Sequence, residues 1–225
     1  MTQQFEARSY IENLDENICC PFFDKFGALH VVFSETGQVA VIRDMTPHTI
    51  HNTNGHTSGA AFDANGALYM TDFTQGAVLV SVGPEESTQP NKDFRNETQD
   101  VFVSVYEDKP LKGPSAIAFD KAGNIFFTDS GPFGETGINS PAGSLFSITS
   151  GVSTRILKPI VLEKLAGPSD VAVSPVNNFV YITEMMANRV LRFVEKPTGK
   201  FVFYFSWILH DSLLANTQSV HSSSD

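Results

Sequence analysis

Four small, chemically capable side chains recur at one place in this sequence. Cys19, Ser58, Ser115 and Ser169 each lie four residues before the first residue of a repeated segment, and the next position holds Cys20, Gly59, Ala116 and Asp170. If the repeat sets equivalent residues around a common axis, they form a ring able to meet a small polar ligand. Asp170 is the only carboxylate of that ring. His56, two residues before Ser58, falls near the mouth of the same ring. Asp129 and Glu135 border a Gly-rich loop, Gly131 to Gly143, and could line one face of a recognition loop. That loop lacks the Gly-Lys-Ser/Thr ending and following helix of a phosphate cradle, so nucleotide binding is not expected.

Other groups read more plainly. His48, His51 and His56 with Asn52 and Asn54 offer transition-metal donors. Their spacing fits no standard ligand pattern, so they are assigned to a polar outer strand and an inter-blade loop, and no metal site is expected. Cys19 and Cys20 are adjacent, which makes a strained disulfide. They read as small buried thiols in a reducing compartment. Asp72, Asp129 and Glu184 end strands and are expected to cap turns.

The elements that must position these residues follow from the repeat itself. Phe-Asp-x-x-Gly-x-Leu appears as Phe23-Asp24 to Leu29, Phe62-Asp63 to Leu68 and Phe119-Asp120 to Ile125, with a looser copy from Val173-Ser174 to Phe179. Each copy is a strand, a turn in which Asp bonds the backbone and Gly supplies positive φ, and a second strand rich in β-branched and aromatic residues. A third strand follows every copy: Gln38 to Ile42, Ala77 to Val80, Ser144 to Ile148 and Arg189 to Phe193. Fourth strands are expected around Asp100 to Val105 and Arg155 to Leu157, and Phe201 to Phe205 reads as the outer strand of the last copy or a bridge to another. Four antiparallel strands per unit describe a β-propeller blade, for which about 40–50 residues is usual. The insertions 83–98 and 130–143 account for the wider spacing of the later copies.

At 225 residues the chain is expected to be one all-β domain: a polar segment 1–16, blades over 17–206, and a Ser-rich tail 207–225 without fixed structure. Its 19 Phe against one Trp make Phe the expected filler between blades. A net charge of −10 with no basic run excludes a nucleic-acid backbone as partner. No signal peptide or membrane span is visible, so a cytoplasmic location is expected and no membrane partner. Four copies and a partial strand read as a truncated ring, whose open blade edges are expected to drive self-association.

Gly113-Pro114-Ser115-Ala116-Ile117-Ala118-Phe119-Asp120 and Gly167-Pro168-Ser169-Asp170-Val171-Ala172-Val173, followed by Tyr181-Ile182-Thr183-Glu184 and Asn188-Arg189-Val190-Leu191-Arg192-Phe193, resemble the senescence-marker-protein/gluconolactonase group. They are also similar to strictosidine-synthase-like and NHL-repeat proteins. The resemblance runs from about Asn17 to Phe205 and implies a six-bladed propeller of the TolB-like type. It further implies a calcium ion in the channel, held by a Glu, Asn side chains and an Asp, that polarises a lactone for attack by water. This sequence has Cys19 in place of the Glu and Ser115 and Ser169 in place of Asn. The expectation is therefore a non-catalytic or degenerate propeller, without cofactor, that binds a protein or a small ligand through the ring and loops. The alternative is a calcium-dependent lactone or ester hydrolase using Asp170.

Overall fold

The computed structural model describes residues 9, 11, 14, 17–81, 99–149, 156–176 and 179–208. The tail expected at 207–225 lies outside them apart from its first two residues, which complete the last strand, and so does the insertion 83–98. Blade I comprises β1 (Ile18–Phe23), β2 (Leu29–Phe33), β3 (Gln38–Arg43) and β4 (Thr46–Asn52). Blade II comprises β5 (Thr57–Phe62), β6 (Leu68–Asp72), β7 (Ala77–Ser81) and β8 (Gln99–Val103), followed by a ribbon of β9 (Val105–Tyr106) and β10 (Lys109–Pro110). Blade III comprises β11 (Pro114–Phe119), β12 (Ile125–Asp129), β13 (Gly143–Ile148) and β14 (Leu157–Leu165). Blade IV comprises β15 (Pro168–Val173), β16 (Phe179–Glu184), β17 (Arg189–Glu195) and β18 (Phe201–Ile208). Each blade is a four-stranded meander in sequence order, so the protein is an all-β propeller with four blades among the described residues. The sole described helix is a 3₁₀ turn at Met185–Ala187, and no described helix is long and apolar enough to cross a membrane.

Phe23, Phe62, Phe119 and Val173 each end the first strand of their blade, as the repeat requires. The turn after them works through the Asp. Asp63 Oδ1 accepts the backbone N–H groups of Asn65 at 2.9 Å and Ala67 at 2.8 Å, and Asp24 and Asp120 do the same in their copies. Gly66 sits at φ +88° and Gly123 at +82°, a region a β-branched residue avoids. In blade IV the hydroxyl of Ser174 replaces the carboxylate and accepts from Val176.

The inner strands touch their neighbours in order, β1 with β5, β5 with β11 and β11 with β15, and no packing of that extent joins blades I and IV among the described residues. Apolar clusters fill the three junctions. One joins Val32, Val39 and Val41 to Leu68, Met70 and Leu79; a second joins Val78 to Ile117, Phe127 and Phe146; a third joins Phe126 and Leu145 to Val180, Ile182 and Leu191. Phe does serve as filler there, as in the Phe127–Phe146 stack at 5.3 Å. Phe23 and Phe133 are exceptions, 64% and 89% exposed. On its far side blade I carries a small cluster of Val31, Ala40 and Ile42 against which Ile11 of the N-terminal segment packs.

Candidate functional site

The ring residues sit where the inner strands depart from regular pairing. Ser58, Ser115 and Ser169 are the extra residues of bulges that fall at the same point in β5, β11 and β15. In β1 the irregularity spans Cys19 to Phe22, with Cys20 at φ +47°. A bulge turns the side chain out of its own ladder, and here it turns toward the next blade. The Cys19 thiol donates to the Ser58 carbonyl at 3.7 Å, the Ser58 hydroxyl to the Ser115 carbonyl at 2.8 Å, and the Ser115 hydroxyl to the Pro168 carbonyl at 3.0 Å. Ser130 Oγ reaches the same Pro168 oxygen at 2.7 Å. Blade by blade, these side chains are clasps.

Cys20 acts in the same junction as Cys19. Its thiol donates to the Ala60 carbonyl at 3.6 Å and its sulfur accepts the Ala60 N–H at 3.2 Å. Burial pushes this thiol up to about 11, with the hydrogen bond to Ala60 opposing and the charges of Cys19 and Asp170 adding to the rise. Burial also raises Cys19. Both thiols are free, and both are poor nucleophiles at neutral pH.

At blade IV the series changes. Ser169 is exposed and pairs within its own blade, with Thr183 Oγ1 at 2.9 Å. Asp170 is exposed, and its Oδ1 accepts the N–H of Val171 at 2.8 Å. Its charge adds to the rise of the Cys20 thiol on blade I. A hard cation needs about six to eight oxygen ligands. One carboxylate, a sulfur and hydroxyls already donating to carbonyls do not fit that need.

The strand-ending carboxylates hold loops. Asp72, Asp129 and Glu184 occupy one register position, facing Thr57, Pro114 and Pro168, and all are buried. Asp72 Oδ2 accepts from Thr53 Oγ1 at 2.7 Å while Oδ1 accepts the Gln75 N–H at 2.9 Å. Asp129 accepts the N–H groups of Lys112 at 2.8 Å and Gly131 at 3.0 Å. Glu184 accepts the Ala166 N–H at 2.7 Å and pairs with Arg189. Each therefore pins the segment that leads into its blade's inner strand. Burial raises the Asp129 carboxyl above its ordinary range, partly offset by those backbone donors. The equivalence of the three positions was the sequence signal for this role. The hydroxyls of Thr53 and Thr57, which complete the bonding at Asp72, carried no such signal.

Asp129 thus turns inward, whereas Glu135 lies exposed on its loop, bonded only through its backbone to Pro132 and Ser140. His56 is exposed, its ring edge-on to Phe73 at 6.4 Å. His51 is buried on the outer strand β4 against Gln99 Oε1 at 3.1 Å, His48 is exposed on that strand, and the described residues contain no group of three metal donors. A small cleft missed by the sequence reading opens beneath the β9–β10 ribbon. Tyr106, Lys109, Asp129, Ser144 and Phe146 line it, and the Lys112–Glu163 ion pair at 2.6 Å bridges its rim.

No protein-family model and no curated protein sequence matches the chain. Solved structures do match in three dimensions. A gluconolactonase from Xanthomonas campestris is 19% identical with a TM-score of 0.66, over 84% of this chain and 60% of that one. The calcium-binding protein regucalcin from Agrobacterium tumefaciens is 15% identical with a TM-score of 0.60, over 83% and 58%. Virginiamycin B lyase from Staphylococcus aureus is 13% identical with a TM-score of 0.56, over 86% and 57%. The chain spans about 60% of the length of the structures it matches. Its fold is that of the gluconolactonase-like and virginiamycin B lyase propellers, in keeping with the likeness carried by its Gly-Pro-Ser segments.

Proposed function

We propose that the chain is a non-catalytic propeller scaffold of the six-bladed, TolB-like type, which binds a protein or small ligand through blade faces and loops. The observation that carries this reading is the engagement of the ring. Cys19, Ser58 and Ser115 donate to carbonyls of the following blade, so the positions that resemble metal ligands are spent on holding blades together. The free thiols and acidic surface are in keeping with a cytoplasmic protein whose partners are neither nucleic acid nor membrane. A second reading, a calcium-dependent lactone or ester hydrolase, draws on the names of the gluconolactonase and regucalcin neighbours and on exposed Asp170. It does not supply the missing oxygen ligands.

Calorimetric titration with calcium and a lactone hydrolysis assay test the proposal. The expected result is no binding in the low-micromolar range and no hydrolysis above background. One tightly bound calcium, with lactonase activity abolished in Asp170→Ala, overturns it in favour of the hydrolase.

A further inference from the structure

The three equivalent buried carboxylates are met in three different ways. In the strand register Asp72 stands opposite Ala77, Asp129 opposite Ser144 and Glu184 opposite Arg189. Residues directly opposite in an antiparallel pair share a face and lie within reach of each other. In blade II the Thr53 and Thr57 hydroxyls donate to Asp72 Oδ2, and in blade IV the Arg189 guanidinium pairs with Glu184. In blade III, counting back from the inner strand, Pro110 and Pro114 take the places of Thr53 and Thr57, and neither has a donor to offer. Asp129 is held by the backbone N–H groups of Lys112 and Gly131, and among the described residues no side chain hydrogen-bonds to it.

What lies beside Asp129 instead is the cleft beneath the β9–β10 ribbon, a cavity of about 60 Å³. That is several times the ~10–15 Å³ that one water needs, and gives room for a few heavy atoms. Asp129 and Ser144, 4% and 3% exposed, form its floor. The Ser144 hydroxyl accepts the Glu163 N–H at 2.9 Å, which leaves its own proton to donate. One wall is aromatic, with the Tyr106 and Phe146 rings 5.4 Å apart. Lys109, Lys112, Glu107 and Glu163 bring two charges of each sign to the rim.

From this we infer that the cleft binds a small neutral polyhydroxy ligand, one sugar ring or a short polyol, whose hydroxyls meet Asp129 and Ser144 and whose carbon skeleton lies against Tyr106 and Phe146. The inference rests on the scaffold reading and names the class of small ligand the scaffold takes. A ligand hydroxyl gives Asp129 what Thr53 gives Asp72, and Ser144 donates to a neighbouring oxygen of the same ligand. A few placed polar groups against an apolar wall are the usual make-up of a small-molecule site. Ions suit it less. The charge of Lys112 already favours the Asp129 carboxylate, so no added cation is called for, and the carboxylate itself opposes an anion.

The experiment is a titration of the isotope-labelled full chain with glucose, galactose, sorbitol and glycerol, and with acetate and methylammonium as ionic probes, followed by amide shifts. At least one of the four neutral probes is expected to saturate with a Kd of about 1–10 mM, shifting the amides of Lys112, Ser144 and Glu163. Tighter binding of the two sugars assigns a ring, and tighter binding of sorbitol or glycerol an open chain. Ser144→Ala should weaken binding roughly three- to tenfold through the lost hydrogen bond. Because Ser144 also holds the Glu163 amide, Leu162→Trp gives an independent block: Leu162 lines the cleft and is 41% exposed, so a larger ring there fills the mouth from the solvent side. It should weaken binding tenfold or more, with circular dichroism checking that both variants fold. No saturation by any neutral probe, tighter binding of acetate or methylammonium, shifts centred on Ser58 and Ser169, or binding unchanged in Leu162→Trp overturns the inference. None of these results bears on calcium or lactone hydrolysis, so the scaffold reading fails separately, by the titration and assay above.

Discussion

The leading faces of blades III and IV are built to one plan and meet different surroundings. In blade III, Ala116, Phe126 and Leu145 lie beneath Val171, Val180 and Ile182 of the next blade, and the Ser115 hydroxyl reaches across to Pro168. In blade IV, Asp170, Tyr181 and Val190 occupy those positions, Ser169 bonds inside its own blade, and part of the face meets solvent. The difference teaches that burial in a propeller belongs to the junction rather than to the blade. One hairpin sequence yields core residues where a neighbour covers it and surface residues where none does.

The largest expected break in this comparison comes from truncating the buried side. Leu145→Ala should destabilise by about 2–5 kcal/mol through lost transfer energy and the cavity left behind. Val190→Ala, at the matching position, should cost about 1 kcal/mol or less. Chemical denaturation of both variants checks this, and equal losses would show that blade IV is as tightly covered as blade III. Next comes crowding. A side chain at Gly59 would place its Cβ 2.8 Å from the Ala116 Cα and from the Ser115 carbonyl, both backbone atoms of the adjoining strand. Gly59→Val should therefore cost about 1–3 kcal/mol, whereas Asp170→Val should stay within roughly 0.5 kcal/mol in thermal melts of dilute protein.

The turns provide a measure that is independent of the junctions. Gly66→Val should destabilise by about 1 kcal/mol, because nothing lies within 4 Å of the new Cβ and the strain is confined to a backbone at positive φ. Unchanged melting of this variant would remove the glycine from the turn argument. The smallest effect is one of pH. The folded state raises the Asp129 carboxyl, so this group's contribution to stability is complete below its ordinary titration range. That contribution is lost as pH rises through the raised value. Asp129→Asn should flatten this part of the profile in denaturant titrations between about pH 3 and 7, and an unaltered profile would assign the pH dependence elsewhere.

The turn was legible residue by residue, because its interactions are local. Asp24, Asp63 and Asp120 bond amides two and four residues ahead, and the glycine that follows must adopt positive φ. The strands beside the turns showed their pairing through β-branched and aromatic runs. The strand boundaries were less exact: β14 begins at Leu157 and runs to Leu165, and β18 continues to Ile208, two residues beyond the boundary expected for the blades. Trp207 and Ile208 thus complete the outer strand. On that strand Phe203 is 52% exposed, while Phe201 turns inward to the Phe126 ring at 5.6 Å.

The candidate ring shows where reading a sequence stops. Its offset was visible, and so was the departure of Cys19, Ser115 and Ser169 from a calcium-binding pattern. What Ser58 and Ser115 do was not visible, because a hydroxyl can serve a ligand or a carbonyl equally well, and the carbonyl chosen lies 57 residues away for Ser58 and 53 for Ser115. The sequence by itself determined the hairpins, their glycine turns and the repeat that makes a propeller, since those depend on groups a few residues apart. Only the tertiary structure decided which equivalent positions are core, clasp or open surface, because that depends on whether another blade stands against them.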